Sequence, residues 1–527
     1  MLRLLPSRAL LCFAAATPLP AQESPVLWRN EPAPPPAALT WIAEEQRANP
    51  AFGAAHVVAL DLAALQPLLD RPSSAQRVQV ELGGAPCELL LERAERTPLH
   101  LVVRGKRVDS DDRCALAIGE SGACAGWFER GDRRYALAQH GASGAHVVRE
   151  VLERALAPCG NHAAHEIATA PDPGGEGPNG IAAVTIDVIA FFTPAARASS
   201  GSAAALTAAV EADVQRANEA NERANVDLRF RLVHARETSY VEDGTGNDLS
   251  RFQTNGDGIM DEVHGLRTLY GADLCTLITN QSSQYCGIAY VMTSPGAGFR
   301  PWAFSVNVRG CLGGTVVAHE MGHNLGCAHD RQNAGSGAYS YSFGYRTPDS
   351  AWRSVMAYTP GASVTTWSSP QVVHQGQAMG TATEDNARSI RRTMSITAAF
   401  TAAQAIDFSV LDGGVPTGFG LVPILRGGGF VNGLETPYLR WAGAPQGTPG
   451  ALVIGLVEAR TPFFAGTLVP ALQLSIPITG SFFATTVDAS GLRTLPVGTE
   501  LWLQALFFDP AAAQSMAMSH GLYVRLP

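Results

Sequence analysis

The sequence predicts a multidomain protein, with an α+β central domain between a β-rich N-terminal region and an all-β, sandwich-like C-terminal region. Three observations carry this prediction. At 527 residues the chain exceeds one ordinary hydrophobic core, and two or three domains are expected. Between about residues 181 and 404, runs of strand character alternate with runs of helical period. Before that stretch there are strand-like runs, and after it short apolar runs are punctuated by Gly and Pro without helical period. The net charge of −9 and the lack of any basic cluster argue against a nucleic-acid partner, since nothing would neutralise phosphates. No apolar run is long enough to span a bilayer.

The first 21 residues, with two arginines, a short apolar core and small residues before Gln22, read as a signal peptide cleaved near Ala21. A secreted, extracellular protein is therefore expected. Loss of Cys12 with the leader leaves an even number of cysteines, in a compartment where disulfides persist. Residues 22–168 contain strand-like runs such as "RVQVEL" and "HLVVRGKRV" and four cysteines, but no catalytic constellation. The Pro- and Gly-rich stretch at 169–180 reads as an exposed linker, either a plain spacer or a place where a processing protease cuts.

The central domain, 181–404, opens with "VTIDVIAFF", whose β-branched and aromatic residues announce a strand. In "LTAAVEADVQRANEANERAN", Leu206, Val210 and Val214 form one helical stripe. "VDLRFRLVHARE" alternates apolar Val226, Leu228, Phe230 and Leu232 with charged positions, as a strand with one wet face should. "ADLCTLIT", "CGIAYVMT" and "AFSVNVRG" are three further short strands.

They lead into "VVAHEMGHNLGCAHD". If Thr315 to Leu325 is helical, His319 and His323 lie four residues apart on one face and can grip one metal ion. Glu320, about 100° round the helix, can reach a water on that metal without displacing it. Gly326 tolerates positive φ, so the helix can end there and the chain can turn back to bring in His329. Three neutral imidazoles and one open position describe a catalytic zinc site, whereas structural zinc is usually closed by four protein ligands. One catalytic Zn2+ is therefore expected. A structural Ca2+ is an open expectation with no residues assigned to it.

The spacing His319-Glu320-x-x-His323-x-x-Gly326-x-x-His329-Asp330 resembles the metzincin zinc peptidases. The family also implies a Met-turn downstream, and "SVMAY" supplies one at Met356. Asp330, directly after the third histidine, looks like the adamalysin or reprolysin-like bacterial type. Tyr358 is instead similar to the astacin and serralysin arrangement, in which that phenol approaches the zinc or the developing oxyanion; the other reading is a packed loop aromatic. The resemblance covers Val184 to about Ala403 and implies a twisted mixed sheet whose edge strand is "CGIAYV". Unpaired amides and carbonyls on that edge could hold an extended peptide. It would also bring Cys286 close enough to Cys311 to bridge, with Cys275 and Cys327 as the remaining candidates in this domain.

Under this resemblance residues 22–168 look like a pro-domain. Cys159-Gly160 is similar to the short Cys-Gly latch with which adamalysin and matrixin precursors occupy zinc. If Cys114 and Cys124 pair, Cys159 either fills that inhibitory role or bridges Cys87. After a final helix through Ile390 and Met394, residues 405–527 read as a β-sandwich from runs such as "ALVIGLV", "LQLSIPI" and "LWLQALFF".

The function expected is a secreted zinc metalloendopeptidase made as a zymogen and acting on proteins or peptides. His319, His323 and His329 are its zinc ligands, Glu320 its general base, Met356 the apolar floor, and Asp330 a carboxylate supporting the ligands. Two alternatives stand beside it. One is a non-catalytic adhesion or capture protein on the same scaffold; the other is zinc-dependent hydrolysis of a non-peptide substrate.

Overall fold

The computed structural model describes residues 24–160 and 184–527, apart from 66–67, 69–74, 120, 141–142, 244–246, 281–284, 412, 433–435 and 483–484. The expected leader, Cys12 and the expected linker at 169–180 lie outside the described residues.

The N-terminal region is a nine-stranded antiparallel sheet: β1 (Trp28–Asn30), β2 (Phe52–Leu60), β3 (Gln76–Leu82), β4 (Ala85–Arg96), β5 (Leu101–Arg107), β6 (Arg113–Ile118), β7 (Cys124–Arg130), β8 (Arg133–His140) and β9 (Ala145–Val151). Helix α1 (Pro36–Ala48) connects β1 to β2. From β3 to β9 each strand pairs with the next, and β1 and β2 add to β9. The two ends then meet. Val26 bridges Gln79, the Leu27 amide donates to Gln79 O at 2.8 Å, and Trp28 Nε1 donates to Glu81 O at 2.9 Å. The sheet thus curls into a barrel-like body around Trp28, Val78, Leu91, Phe128 and Tyr135. In β3 the period-2 pattern of the sequence holds, with Val78, Val80 and Leu82 all buried.

The central sheet has the order β10-β14-β15-β13-β11-β12, with β10 (Cys159–Gly160), β11 (Val184–Phe192), β12 (Leu228–Glu237), β13 (Leu274–Thr279), β14 (Gly287–Ala289) and β15 (Phe304–Val308). Strands β12, β11, β13 and β15 run parallel, and β14 is antiparallel to β15. The helices are α2 (Pro194–Ser200), α3 (Ala203–Arg223), α4 (Asn247–Gln253), α5 (Glu262–Tyr270), α6 (Val316–Asn324) and α7 (Asn386–Thr397). Ser202 caps α3 by accepting from the Ala205 amide, and Asp385 caps α7 by accepting from the Arg388 amide. Leu206, Val210 and Val214 of α3 pack with Ile186, Val188 and Phe230 on one face, joined by residues of α6 and α7. Phe191, Cys275, Leu277, Phe252 and Tyr270 fill the other.

Two expectations are corrected here. The face of β12 expected to be wet is only partly so: Arg229 is half-buried and Arg236 exposed, but Arg231 and Val233 between them are buried. Val233 packs into the second core, and the guanidinium of Arg231 grips Asp187 at 2.6 and 2.9 Å, so the charged position is buried as an ion pair. The cysteine pairings are also corrected. Cys286 and Cys311 form a disulfide, but Cys275 and Cys327 are free thiols in the two different cores, separated by the sheet. Cys114 stands opposite Phe128, and Cys124 opposite Ile118, so four residues of register keep them apart. Cys87 is a free thiol in the barrel core, and Cys159 is elsewhere.

The barrel docks on α3. Ala115, Ala117, Ala125 and Trp127 meet Ala208 and Ala212, small side chains that let sheet and helix approach closely. Trp127 Nε1 donates to Ala212 O at 2.9 Å, and the Arg216 guanidinium lies 4.5 Å over the Trp127 ring. Buried Glu129 receives Arg223 at 2.6 Å and the Thr365 hydroxyl at 3.1 Å. Residues 405–527 contain no α-helix among the described residues. A six-stranded and a three-stranded sheet there share a core of Leu425, Leu439, Trp441, Leu452, Leu503, Phe507 and Val524.

Candidate active site

Helix α6 ends one residue short of the predicted end, and its geometry follows the sequence. Gly326 takes φ +86°, and a Cβ there would meet the Cβ of Ala338 at 2.5 Å, so only glycine makes this turn without strain. The turn returns the chain so that His329 faces His319 and His323. The Nε2 atoms of His323 and His329 are 3.0 Å apart, and those of His329 and His319 are 3.1 Å apart.

The donor set fits a metal cation. Nδ1 of His319 donates to Val355 O at 2.9 Å, Nδ1 of His323 to Cys327 O at 2.8 Å, and Nδ1 of His329 to Asn333 O at 3.4 Å. A carbonyl can only accept, so each ring carries its proton on Nδ1, and three Nε2 lone pairs point at one another. Three lone pairs converging at this distance form a ready site for a cation between them. Burial, and then the neighbouring imidazoles, hold His319 down at about 3 and His323 well below its ordinary value; burial holds His329 down at about 4. Neutral imidazole is the form that ligates zinc.

Cys159 completes the cluster. Its Sγ lies with the three Nε2 atoms inside a sphere where all four ligand atoms are within 4.8 Å of one another. The thiol also donates to Glu320 Oε2 at 3.3 Å. Burial pushes Glu320 up to about 8, partly offset by that hydrogen bond, and its Oε1 is buried without a partner. Cys159 is placed by backbone pairing. As β10, Cys159 and Gly160 run parallel to Gly287 and Ile288 of β14, covering the edge that the sequence marks for an extended peptide.

Met356 is fully buried beneath α6, where Gly322 leaves room. A Cβ on Gly322 would meet Met356 Sδ at 2.7 Å and the Trp367 ring at 3.0 Å. Asp330 ties the turn to the ligands: it accepts from the Tyr358 amide at 3.0 Å, from Arg346 at 2.7 Å and from the Asn333 side chain at 2.9 Å. Asn333 in turn accepts from His329. The half-buried Tyr358 hydroxyl donates to Cys159 O at 2.8 Å and stands 3.1 Å from His329 Nε2, so it is at the cluster and not merely packed in a loop. Arg353 bears no motif signature, yet it lines a cavity of about 210 Å³ beside His319 and Glu320. Its only sequence mark is adjacency to the "SVMAY" turn.

Residues 182–368 match the model of the Reprolysin_5 family, metallo-peptidase family M12. M12 metallopeptidases use zinc. The chain is similar to a Peptidyl-Asp metalloendopeptidase of Xanthomonas campestris pv. campestris, 36% identical over 36% of this chain and 46% of that protein. A protein of the same name from Stenotrophomonas maltophilia is 34% identical over 41% of this chain and 52% of its own length. The chain thus spans about half the length of the curated relatives it matches. A solved structure, metalloproteinase-II from Bacteroides fragilis, aligns over 51% of this chain and 86% of that one, at 12% identity and a TM-score of 0.36. No helix among the described residues is long and apolar enough to cross a membrane.

Proposed function

We propose that this chain, whose residues 182–368 form a metzincin-like M12 metallopeptidase domain, is a secreted zinc metalloendopeptidase made as a zymogen. The observation that carries this reading is the convergence of three Nδ1-protonated imidazoles beside a buried glutamate. Zinc held by His319, His323 and His329 would supply a Lewis acid for the scissile carbonyl and lower the pKa of the attacking water. Glu320 takes the proton of that water and delivers it to the leaving amine. Its buried setting raises its proton affinity, and a nearby dication would lower it again toward the working range. Tyr358, released from Cys159, can donate to the carbonyl oxygen as charge develops. Met356 and Asp330 hold the floor and the ligand geometry.

In this reading residues 22–168 are the pro-domain, 169–180 the linker, 181–404 the catalytic domain and 405–527 a β-sandwich-like domain. Cys159 occupies the open metal position while β10 covers the β14 edge. Removal of that segment would free β14 to accept a substrate as one more strand. From the relatives' name, a preference for aspartate beside the cleaved bond is carried over as part of the proposal. The test is incubation of the processed protein with a diverse peptide library, with and without a zinc chelator. Cleavage that the chelator abolishes and added zinc restores is expected; absence of cleavage, or indifference to the chelator, contradicts it.

A further inference from the structure

Arg353 is buried, and two of its donors are already used. Nε donates to Gly361 O at 3.1 Å and Nη1 to Ala357 O at 2.9 Å, which fixes the plane of the guanidinium. Nη2 has no hydrogen-bond partner among the described residues. The group lines the cavity of about 210 Å³ that also borders His319, Glu320 and Tyr358, with Val316 and Val355 as apolar walls. A fixed, buried and partly unsatisfied cation lining a cavity next to the expected reacting groups is a recognition element for a carboxylate.

The precursor supplies a carboxylate there. Glu153, in the 3-10 turn before β10, lines the same cavity, and its Oε1 is buried without a hydrogen-bond partner. After burial itself, which draws Arg353 down, Glu153 is the strongest influence on it, followed by the cations Arg134, Arg346 and Arg154. Glu153 also acts on Arg216 of α3. An acidic side chain therefore already occupies the space near Arg353 in this state, and it departs with the N-terminal segment.

We propose that Arg353 is the specificity-determining residue of the site, selecting an acidic side chain next to the cleaved bond, and that Glu153 stands in for that side chain in the precursor. The proposal rests on the peptidase reading above and assigns its acidic preference to one group. The neutral isostere asparagine would leave the cation unpaired.

The test uses the full chain, proteolytically activated and zinc-loaded, with peptides that differ only as Asp, Asn or Leu at each position bordering one cleavable bond. Asp is expected to exceed Asn in kcat/KM by roughly 100-fold at one of those positions, the scale for an unpaired buried charge. Arg353→Met is expected to bring that ratio to within about 3-fold of unity. Equal rates for Asp and Asn in the unmodified enzyme, or a ratio that survives Arg353→Met, overturn the assignment. If Arg353→Met fails to melt cooperatively, Arg353→Lys decides. A point charge without the planar fork must lower the ratio by about 10-fold, and an unchanged ratio overturns the proposal. Cleavage of none of the peptides, Leu included, overturns the peptidase reading and this one with it, whereas cleavage without acidic preference overturns only the role of Arg353.

Discussion

The Sγ of Cys159 stands 3.6 Å from Nε2 of His323, and it lies within 4.8 Å of all three histidines' ligand nitrogens. The same thiol hydrogen-bonds Glu320, so one side chain touches both the histidine cluster and the expected base. Full-length Cys159→Ala, folded and zinc-loaded, should cleave peptides above the level of the intact parent but below the activated enzyme, because β10 still pairs with β14, and a fluorogenic peptide assay on the intact chain reads this directly. An intact variant that binds zinc yet stays silent would leave β10 on the β14 edge as the sole means of inhibition.

Docking of the barrel on α3 should depend on pH through Glu129. Burial raises its carboxyl, but Arg134, Arg223 and Arg216 outweigh this and hold it at about 2, below its ordinary 4.5. That contribution, about 3 kcal/mol, is fully present above pH 4.5 and is lost as pH falls toward 2. Asp213 acts oppositely. Burial raises it from its ordinary 3.8 to about 7, so its contribution is complete below pH 3.8 and is lost progressively as pH rises to 7. From these two groups the melting temperature of the full chain should therefore be highest at about pH 4, falling as the pH drops toward 2 and as it rises toward 7. Glu129→Gln should lower it and make the acid limb shallower; an unchanged acid limb would mean that other carboxylates dominate.

Gly322→Ala should destabilise the protein by about 1–3 kcal/mol, because the new methyl meets Met356 and Trp367, both fully buried. Chemical denaturation measures this, and zinc titration should show weaker binding, since Met356 lies under the ligands. A variant as stable as the parent would show that Met356 can move aside freely.

Much of this site was legible because its chemistry is periodic. His319 and His323 share a helix face by spacing alone, and Gly326 declares the turn that recruits His329. Strands β11 to β15 were readable from β-branched runs, and the edge position of β14 followed from the resemblance. Pairings across long stretches of chain were not legible. Whether Cys275 can reach Cys327 depends on which side of a sheet each faces, and both sides of the central sheet are apolar. The wet face expected of β12 is only partial because Asp187, forty-four residues away, supplies a buried partner for Arg231. Glu129 and Trp127 carry no local sign that their partners lie on α3.

Truncation after Gln404 should leave short-peptide cleavage intact in the activated protein, because residues 405–527 hold a core of their own. One apolar link to the central unit is the edge-to-face contact of Phe430 on Tyr270, with ring centroids 5.3 Å apart. Loss of peptide cleavage in a truncated chain that still melts cooperatively would show that this contact supports the site.

The most direct test of the central claim is a paired measurement of metal content and peptidase rate in activated Glu320→Gln. The substitution keeps the three imidazoles and removes the proton acceptor, so about one zinc per chain should remain while kcat/KM falls by roughly 10²–10⁴. Undiminished cleavage by the zinc-loaded variant would contradict Glu320 as the base, and loss of the zinc itself would contradict the division of roles between Glu320 and the three histidines.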